Sequence, residues 1–236
     1  MVIFMKYIKQ LKYHPLFCDM KEREIEKILS CFSFKYKNYS KDEYIILEGD
    51  PVQIIGIIIY GTVLMEKNDL HGNSYFFTEF RESDIFAEPF MDTNIINSSV
   101  NYKAMTNCHI LFFNYRDIWR SCECHCSCHL LFIKNLTNLL ALKSRILMAK
   151  IEILSKKSLR DRILTFFNLV SHPSYHIGIS ENHISAPLQP GQLFIPYNHT
   201  EMAEYLGVNR SALVRELKRM KDQNIIDYEK NIYTLL

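Results

Sequence analysis

The chain lacks any long apolar run. Its longest, such as Ile54 to Tyr60, falls well short of the roughly 20 residues a membrane-spanning helix needs. Met1 to Tyr7 has too short an apolar run for a targeting segment and no small-residue cleavage site. These absences lead to the expectation of a cytoplasmic chain with no membrane partner. Also missing are a Gly-rich phosphate loop, a nucleophile elbow and a His-Glu-x-x-His helix, so the common enzyme signatures are not met and no enzyme is expected. The scattered His172, His176, His183 and His199 read as loop and helix-start residues rather than as a catalytic group. Charge of one sign is lacking too. With 28 basic and 26 acidic residues the net charge is +2, so overall composition does not point to nucleic acid. Seven cysteines, an odd number at uneven spacing, do not form the framework of a secreted disulfide scaffold. The low glycine count and the abundance of Ile, Lys, Asn and Tyr fit an A+T-rich genome more than a function.

What is present falls into three regions of different period. At 236 residues the chain can bury a core without metal or disulfide. A first helix is expected from a capping pattern at Asp19 and Glu22, followed by Ile25, Ile28 and Leu29 at helical spacing. From about Phe34 to Phe113 the pattern changes to short strands: Tyr44 to Leu47, Ile54 to Tyr60, Val63 to Glu66, Tyr75 to Phe80 and His109 to Phe113. Turn residues separate them at Glu48-Gly49-Asp50-Pro51, Tyr60-Gly61 and Asp69 to Asn73. Strands of this kind build a sandwich or barrel.

From about Leu130 to Leu154 the period is helical. Leu139, Leu142, Ile146, Ala149 and Ile153 step by three and four residues, the a/d spacing of a dimer seam. Asn135 extends that seam upward by four residues, either as a polar register residue or as part of a fraying terminus. A second stripe, Leu136, Leu140, Lys143 and Leu147, lies beside it. Two stripes point to two partners, the chain's own sandwich and a second copy of the helix, with burial of the helix in a single core as the alternative. Ser155-Lys156-Lys157-Ser158 is a polar break and a candidate hinge. Ser158 is placed to cap a helix carrying Leu159, Ile163, Leu164, Phe166 and Phe167. These changes divide the chain into 1–129, 130–154 and 155–236.

The last region holds the most specific signal. Asn198-His199-Thr200-Glu201 is a capping box. The helix it opens carries Met202, Ala203, Tyr205 and Leu206 and stops at Gly207. Asn209 can cap a second helix through Leu213, Leu217 and Met220. Two short helices joined by a glycine turn form a helix-turn-helix, and the small Ala203 lets them cross closely. Ile225 to Tyr228 and Ile232 to Leu235 flank Glu229-Lys230-Asn231 as a hairpin, the wing. The second helix is expected in the DNA major groove, with Arg210, Ser211, Val214 and Arg215 at base edges and Lys218 and Arg219 at phosphates. Asn209, His199 and Thr200 complete the expected DNA-contacting set. The basic residues are clustered here, which matters more than the sum.

The stretch Asn198 to Asn224, NHTEMAEYLGVNRSALVRELKRMKDQN, resembles the helix-turn-helix of the cyclic AMP receptor protein and fumarate–nitrate reductase regulator (Crp/Fnr) family. The stretch ILEGDPVQIIGIIIYGTVLM from Ile46 resembles that family's first strands, with Gly49 and Gly61 at its turns, and the long helix resembles its dimerisation helix. The resemblance implies an α+β chain: an N-terminal β-roll of the cyclic-nucleotide-binding, jelly-roll type, a long dimerisation helix, and a C-terminal winged helix-turn-helix. It implies a homodimer on a near-palindromic operator, with RNA polymerase as a further partner should the protein activate. In the family two arginines and an intervening glutamate of the recognition helix contact bases. Arg210 and Arg215 match the arginines, while Ser211 replaces the glutamate, so a different operator is expected.

The family's nucleotide-binding members grip ribose and phosphate with a Phe-Gly-Glu segment and an Arg-Ser pair. Here the first reads Phe86-Ala87-Glu88 and the second aligns with Ser98-Ser99. A buried phosphate without a countercharge is very costly, so cyclic AMP and cyclic GMP are not expected. Phe86, Glu88, Ser98, Ser99 and Asn135 remain the candidate lining of an effector pocket, and an interior rich in Ile, Phe and Tyr suits an apolar or aromatic effector.

Cys122-Glu123-Cys124-His125-Cys126-Ser127-Cys128-His129 is the least ordinary segment. Four thiols and two imidazoles exceed the ligand count of a tetrahedral zinc site, though the spacing is not that of a common zinc finger. Cys122, Cys124, Cys126, Cys128, His125 and His129 are candidate metal or redox residues, and the heptad extended upward puts Cys128 on the dimer seam. Against this stands the ordinary role of reduced cysteine as a small packed hydrophobe. The controlling signal is therefore read as a small molecule, a redox change or a metal. The alternative function is a metal- or thiol-redox-sensing module whose DNA contact is vestigial.

Overall fold

The computed structural model describes residues 8–32, 34–69, 71, 74–90, 97–119, 127–171 and 191–236. They form two compact units, 1–139 and 140–236, so the division falls within the long helix that the sequence sets apart. Among the described residues no helix is long and apolar enough to cross a membrane.

The first unit begins with helical residues 8–11, a 3-10 turn at Pro15–Phe17 and helix α1 (Glu22–Cys31). The start of α1 corrects the sequence reading. Asp19 takes φ of 62°, a left-handed conformation incompatible with a helix cap, and the helix is entered from Lys21, whose N–H donates to the Glu24 carboxylate at 2.8 Å.

Eight strands follow: β1 (Lys35–Tyr39), β2 (Tyr44–Ile46), β3 (Ile54–Tyr60), β4 (Val63–Asn68), β5 (Ser74–Phe80), β6 (Ile85–Phe86), β7 (Asn101–Ala104) and β8 (Cys108–Asn114). They form two antiparallel sheets in the orders β1-β8-β3-β6 and β2-β7-β4-β5. The all-apolar β3 is central in its sheet, with Ile55, Ile57, Ile58 and Ile59 all buried, which is why it reads as a continuous run rather than an alternation. Gly61 follows it at φ of 95°, and a Cβ there would lie 2.4 Å from the Asn107 carbonyl oxygen. No other residue fits both the backbone and the space.

Between the sheets lie Ile46, Val63, Phe86, Tyr102, Ile110 and Phe112. A second aromatic group, Phe17, Phe32, Phe34, Phe113 and Phe132, packs the N-terminal segment against β8 and the start of the long helix. Short helix α2 (Tyr115–Trp119) leads toward that helix, α3 (Ser127–Ser155).

Asn135 on α3 is buried, and its side-chain amide donates to the carbonyls of Leu16 and Cys18 at 3.1 and 2.9 Å. It therefore fastens the N-terminal segment instead of extending a dimer seam or lining an effector pocket. The lower half of α3 also differs from the simple heptad. Ala149 and Ile153 are 3% and 0% exposed because they pack in the core of the second unit. The apolar side chains left in solvent are Leu147, Met148, Ile151 and Leu154, at 63%, 66%, 67% and 40% exposure. Leu139, Leu142 and Ile146 are half-buried.

The second unit continues with α4 (Leu159–Ser171), β9 (Gln192–Phe194), α5 (His199–Tyr205), α6 (Arg210–Asp222), β10 (Ile226–Glu229) and β11 (Ile232–Leu235). Ser158 caps α4, its hydroxyl accepting from the Asp161 N–H at 3.0 Å. The expected hairpin is present as β10 and β11, paired from Ile226↔Leu235 to Glu229↔Ile232 around a turn in which Lys230 has φ of 52°. An unexpected third strand, β9, pairs with β11 through Ile232↔Phe194 and widens the hairpin into a sheet. One core joins all of it: Ile163, Phe166 and Phe167 of α4, Met202, Ala203 and Leu206 near α5, Leu213, Leu217 and Met220 of α6, and Ile226 and Tyr233 of the sheet.

Candidate nucleic-acid interface

Helix α5 starts where the capping box predicts. The Asn198 side-chain oxygen accepts from the N–H groups of Thr200 and Glu201 at 2.8 and 3.1 Å, and Glu201 returns an acceptor to the Asn198 N–H at 2.8 Å. It ends at Gly207, whose φ is 66°. There the N–H groups of Gly207 and Val208 bond back to the carbonyls of Glu204 and Ala203 at 3.1 and 2.9 Å. Ala203, 2% exposed, lies in the core where α5 and α6 pack. Asn209 stands at the N-cap of α6 with extended backbone, but its side chain makes no cap hydrogen bond, so the cap the sequence assigns to it is one of backbone only.

Helix α6 is divided by burial. Leu213, Leu217 and Met220 face the core, while Arg210, Ser211, Arg215, Lys218 and Arg219 are exposed and Val214 is half-buried between them. The Arg215 Nε donates to the Ser211 carbonyl at 3.3 Å, folding that arginine along its own helix. At the start of α5 Thr200 is exposed and His199 half-buried, with the His199 ring edge-on to Tyr228 at 6.3 Å. The structure thus puts the predicted residues of α6 on one solvent face beside the hairpin sheet.

Several residues that hold this face were not legible beforehand. Lys221 is exposed but engaged: its ammonium pairs with the Asp227 carboxylate, donates to the Tyr228 carbonyl at 3.3 Å and lies 5.2 Å from the Tyr228 ring. It ties α6 to the hairpin. Arg160 of α4 donates to Glu216 of α6 at 2.8 Å. Lys150 of α3 donates to the Tyr205 carbonyl, and Arg162 of α4 to the Leu206 carbonyl at 3.3 Å. These pairs are separated by 56, 55 and 44 residues, so no local pattern announces them.

Of the candidate effector residues of the first unit, Phe86, Glu88 and Ser98 are buried. The Phe86 ring is wholly buried, 5.1 Å from Tyr102, 6.2 Å from Phe80 and 6.0 Å from Phe112. A Cβ on Gly56 would come within 2.2 Å of that ring, so the space beneath it is filled. Glu88 is buried close enough to Tyr102 for its charge to help burial hold the Tyr102 phenol up above its usual range. The buried Ser98 hydroxyl donates to the Val100 carbonyl at 2.6 Å, and Ser99 is exposed. A cation does reach this segment, but from β4: Lys67 donates to the Ser99 carbonyl and pairs with Glu48, each at 3.1 Å. An open groove of about 420 Å³ lies elsewhere, lined by Tyr60, Gly61, Thr62, Arg81, Glu82 and Thr106.

Of the cysteine-rich segment, Cys122, Cys124, Cys126 and His125 lie outside the described residues. Cys128 and His129 are buried in the first unit. The His129 Nε2 is 2.8 Å from the Ile118 carbonyl and its ring is edge-on to Phe32 at 5.2 Å.

The chain is similar to known proteins over both units. The family model described as the cyclic nucleotide-binding domain matches residues 36–125, and the one described as the Crp-like helix-turn-helix domain matches residues 176–236. No curated protein matches the chain. Among solved structures, the catabolite activator protein of Thermus thermophilus is 20% identical, with a TM-score of 0.50, and the match covers 94% of this chain and 93% of that one. CprK in complex with OCPA is 14% identical, with a TM-score of 0.55, over 90% of each chain. At these identities the likeness is one of fold.

Proposed function

The chain belongs to the Crp/Fnr family of transcription regulators and is a DNA-binding regulator; from that premise we propose that it works as a homodimer on a near-palindromic operator. Each copy of α6 enters the major groove of one half-site. Arg210, Ser211, Val214 and Arg215 meet base edges, and Lys218, Arg219, Asn209, His199 and Thr200 meet the flanking backbone. The observation that carries this reading is the division of α6, with Leu213, Leu217 and Met220 anchored in the core and a row of exposed cationic residues left in solvent beside a wing.

The copies pair along α3. Leu147, Met148, Ile151 and Leu154 are the exposed apolar residues of its lower half, and the half-buried Leu139, Leu142 and Ile146 lie above them. Four large apolar side chains on one helix are costly to leave in water and fit a helix of like composition. The signal that controls the dimer is not a cyclic nucleotide. The Phe80, Phe86 and Tyr102 rings pack against one another in the roll, the segment at Ser98-Ser99 carries no arginine, and Lys67 is already engaged by Glu48. The residues present do not fit that ligand.

A mobility-shift titration with DNA from upstream of the chain's own gene tests the reading. A specific complex that weakens steeply with salt is expected. Arg210→Ala should relax sequence choice, and Lys218→Ala should weaken all sequences alike. Retention that is indifferent to sequence in the intact protein would contradict it.

A further inference from the structure

The carbonyl end of a helix leaves backbone acceptors that need partners. At the end of α5 the turn around Gly207 satisfies the carbonyls of Ala203 and Glu204. The next two, Tyr205 and Leu206, are taken by cationic side chains from other helices. Lys150 reaches the Tyr205 carbonyl from α3, and its ammonium also sits 4.0 Å above the centre of the Tyr205 ring. Arg162 spans two backbones: its Nε donates to the Lys156 carbonyl, just past the end of α3, at 3.1 Å, and its Nη1 donates to the Leu206 carbonyl at 3.3 Å. Between them, the Leu154 side chain lies so close to Gly207 that a Cβ there would be 3.2 Å from it.

We propose that Lys150 and Arg162 form a cationic latch that locks the turn of the helix-turn-helix to the last turns of α3, and so sets the angle at which α6 meets DNA. The inference rests on the DNA-reading function proposed above and names how that site is positioned.

The two contacts fall on consecutive carbonyls at the bend between α5 and α6, where a small rotation is carried straight into the recognition helix. A cation at a helix C-terminus is favoured by the helix dipole, and a hydrogen bond from a charged donor is stronger than a neutral one. Lys150 is also the polar residue between Ala149 and Ile153, which are locked in the core, and Met148 and Ile151, which are in solvent. It stands where the buried and the free faces of α3 meet. Burial pulls its ammonium below the usual lysine range, as expected for a cation held by a carbonyl and a ring rather than by water. Lys150 and Arg162 are positioning residues in this scheme and touch no base.

The test uses the full-length chain and a duplex selected by the wild-type protein from random DNA, with a scrambled duplex of equal length for comparison. Lys150→Met should keep a cooperative melt and the wild-type affinity for the scrambled duplex. Its preference for the selected duplex should fall about tenfold, the scale of one misplaced bidentate base contact. Lys150→Arg should restore most of the preference, and Tyr205→Phe, which keeps carbonyl and ring, should leave it unchanged. Should Lys150→Met fail to fold, Arg162→Met carries the same expectations. An unchanged preference in the folded variant overturns the latch, as does a preference lost only in step with the melt, or two variants that both fail to fold. If the wild type selects no duplex at all, the DNA reading itself falls and the latch with it. That outcome is distinct from a wild type that selects and a Lys150→Met that reads the same sequence equally well.

Discussion

Arg160 of α4 and Glu216 of α6 meet at 2.8 Å, at 30% and 18% side-chain exposure. The pair fixes an acidic residue of the otherwise basic α6 against the body of its own unit. Partial exposure screens the pair, so its worth lies between that of a surface ion pair and a buried charged hydrogen bond, about 1–2 kcal/mol. Arg160→Ala should therefore lower the melting temperature of the second unit by several degrees. It should also weaken DNA binding, because it releases the Glu216 carboxylate toward the phosphates. A double-mutant cycle with Glu216→Ala checks both effects, and a coupling energy near zero would count against the pair.

Ala87 carries a backbone conformation better suited to glycine. It is buried, with φ of 66°. An L-residue in this region costs roughly 1–2 kcal/mol, and a glycine would add unfolded-state entropy worth part of that. Ala87→Gly is expected to stabilise the first unit by about 0.5–1 kcal/mol in urea unfolding. A destabilised variant would show that the alanine methyl matters more than the backbone.

His14 makes stability depend on pH. It is 3% exposed, its Nδ1 accepts from the Leu16 N–H at 3.1 Å, and burial holds its pKa down at about 4 against an ordinary 6.5. The unfolded chain thus binds the proton more readily than the folded one between those two values. The stability tied to a neutral His14 is full above pH 6.5 and is lost as pH falls toward 4, by up to about 3 kcal/mol. Urea midpoints at pH 7.5, 6 and 5 should decline in the wild type more steeply than in His14→Asn. Equal slopes would remove His14 as the cause.

Calorimetry with cyclic AMP and cyclic GMP should give no binding heat, because rings fill the roll and Ser98 closes on Val100. An affinity of tens of micromolar or tighter would overturn the proposal that another signal is used.

The helix-turn-helix was the most legible part of the chain because its determinants are local. The box at Asn198 and Glu201, the stop at Gly207 and the apolar positions of α6 all lie within a few residues of what they control. Strand β3 was legible for the same reason, being five isoleucines interrupted only by Gly56 and closed by Tyr60. The polar Lys35–Tyr39 strand gave no comparable signal, since its residues stay exposed or half-buried and do not alternate clearly. The face of α3 was legible only as a pair of stripes. Which stripe meets the chain's own core depends on where α4, α5 and α6 pack, and they took Ala149 and Ile153, leaving Leu147 and Ile151 outside. Asn135 misled in the same way: at heptad spacing it imitates a register residue, yet its amide bonds to carbonyls more than 100 positions away.

The central claim is that α6 reads base sequence, and selection of bound duplexes from random DNA by the full-length protein tests it most directly. The account predicts enrichment of a two-fold symmetric sequence, with Arg210→Ala losing the preference at one position of each half-site and keeping the others. Failure to enrich any sequence, or an identical consensus from Arg210→Ala, would contradict it.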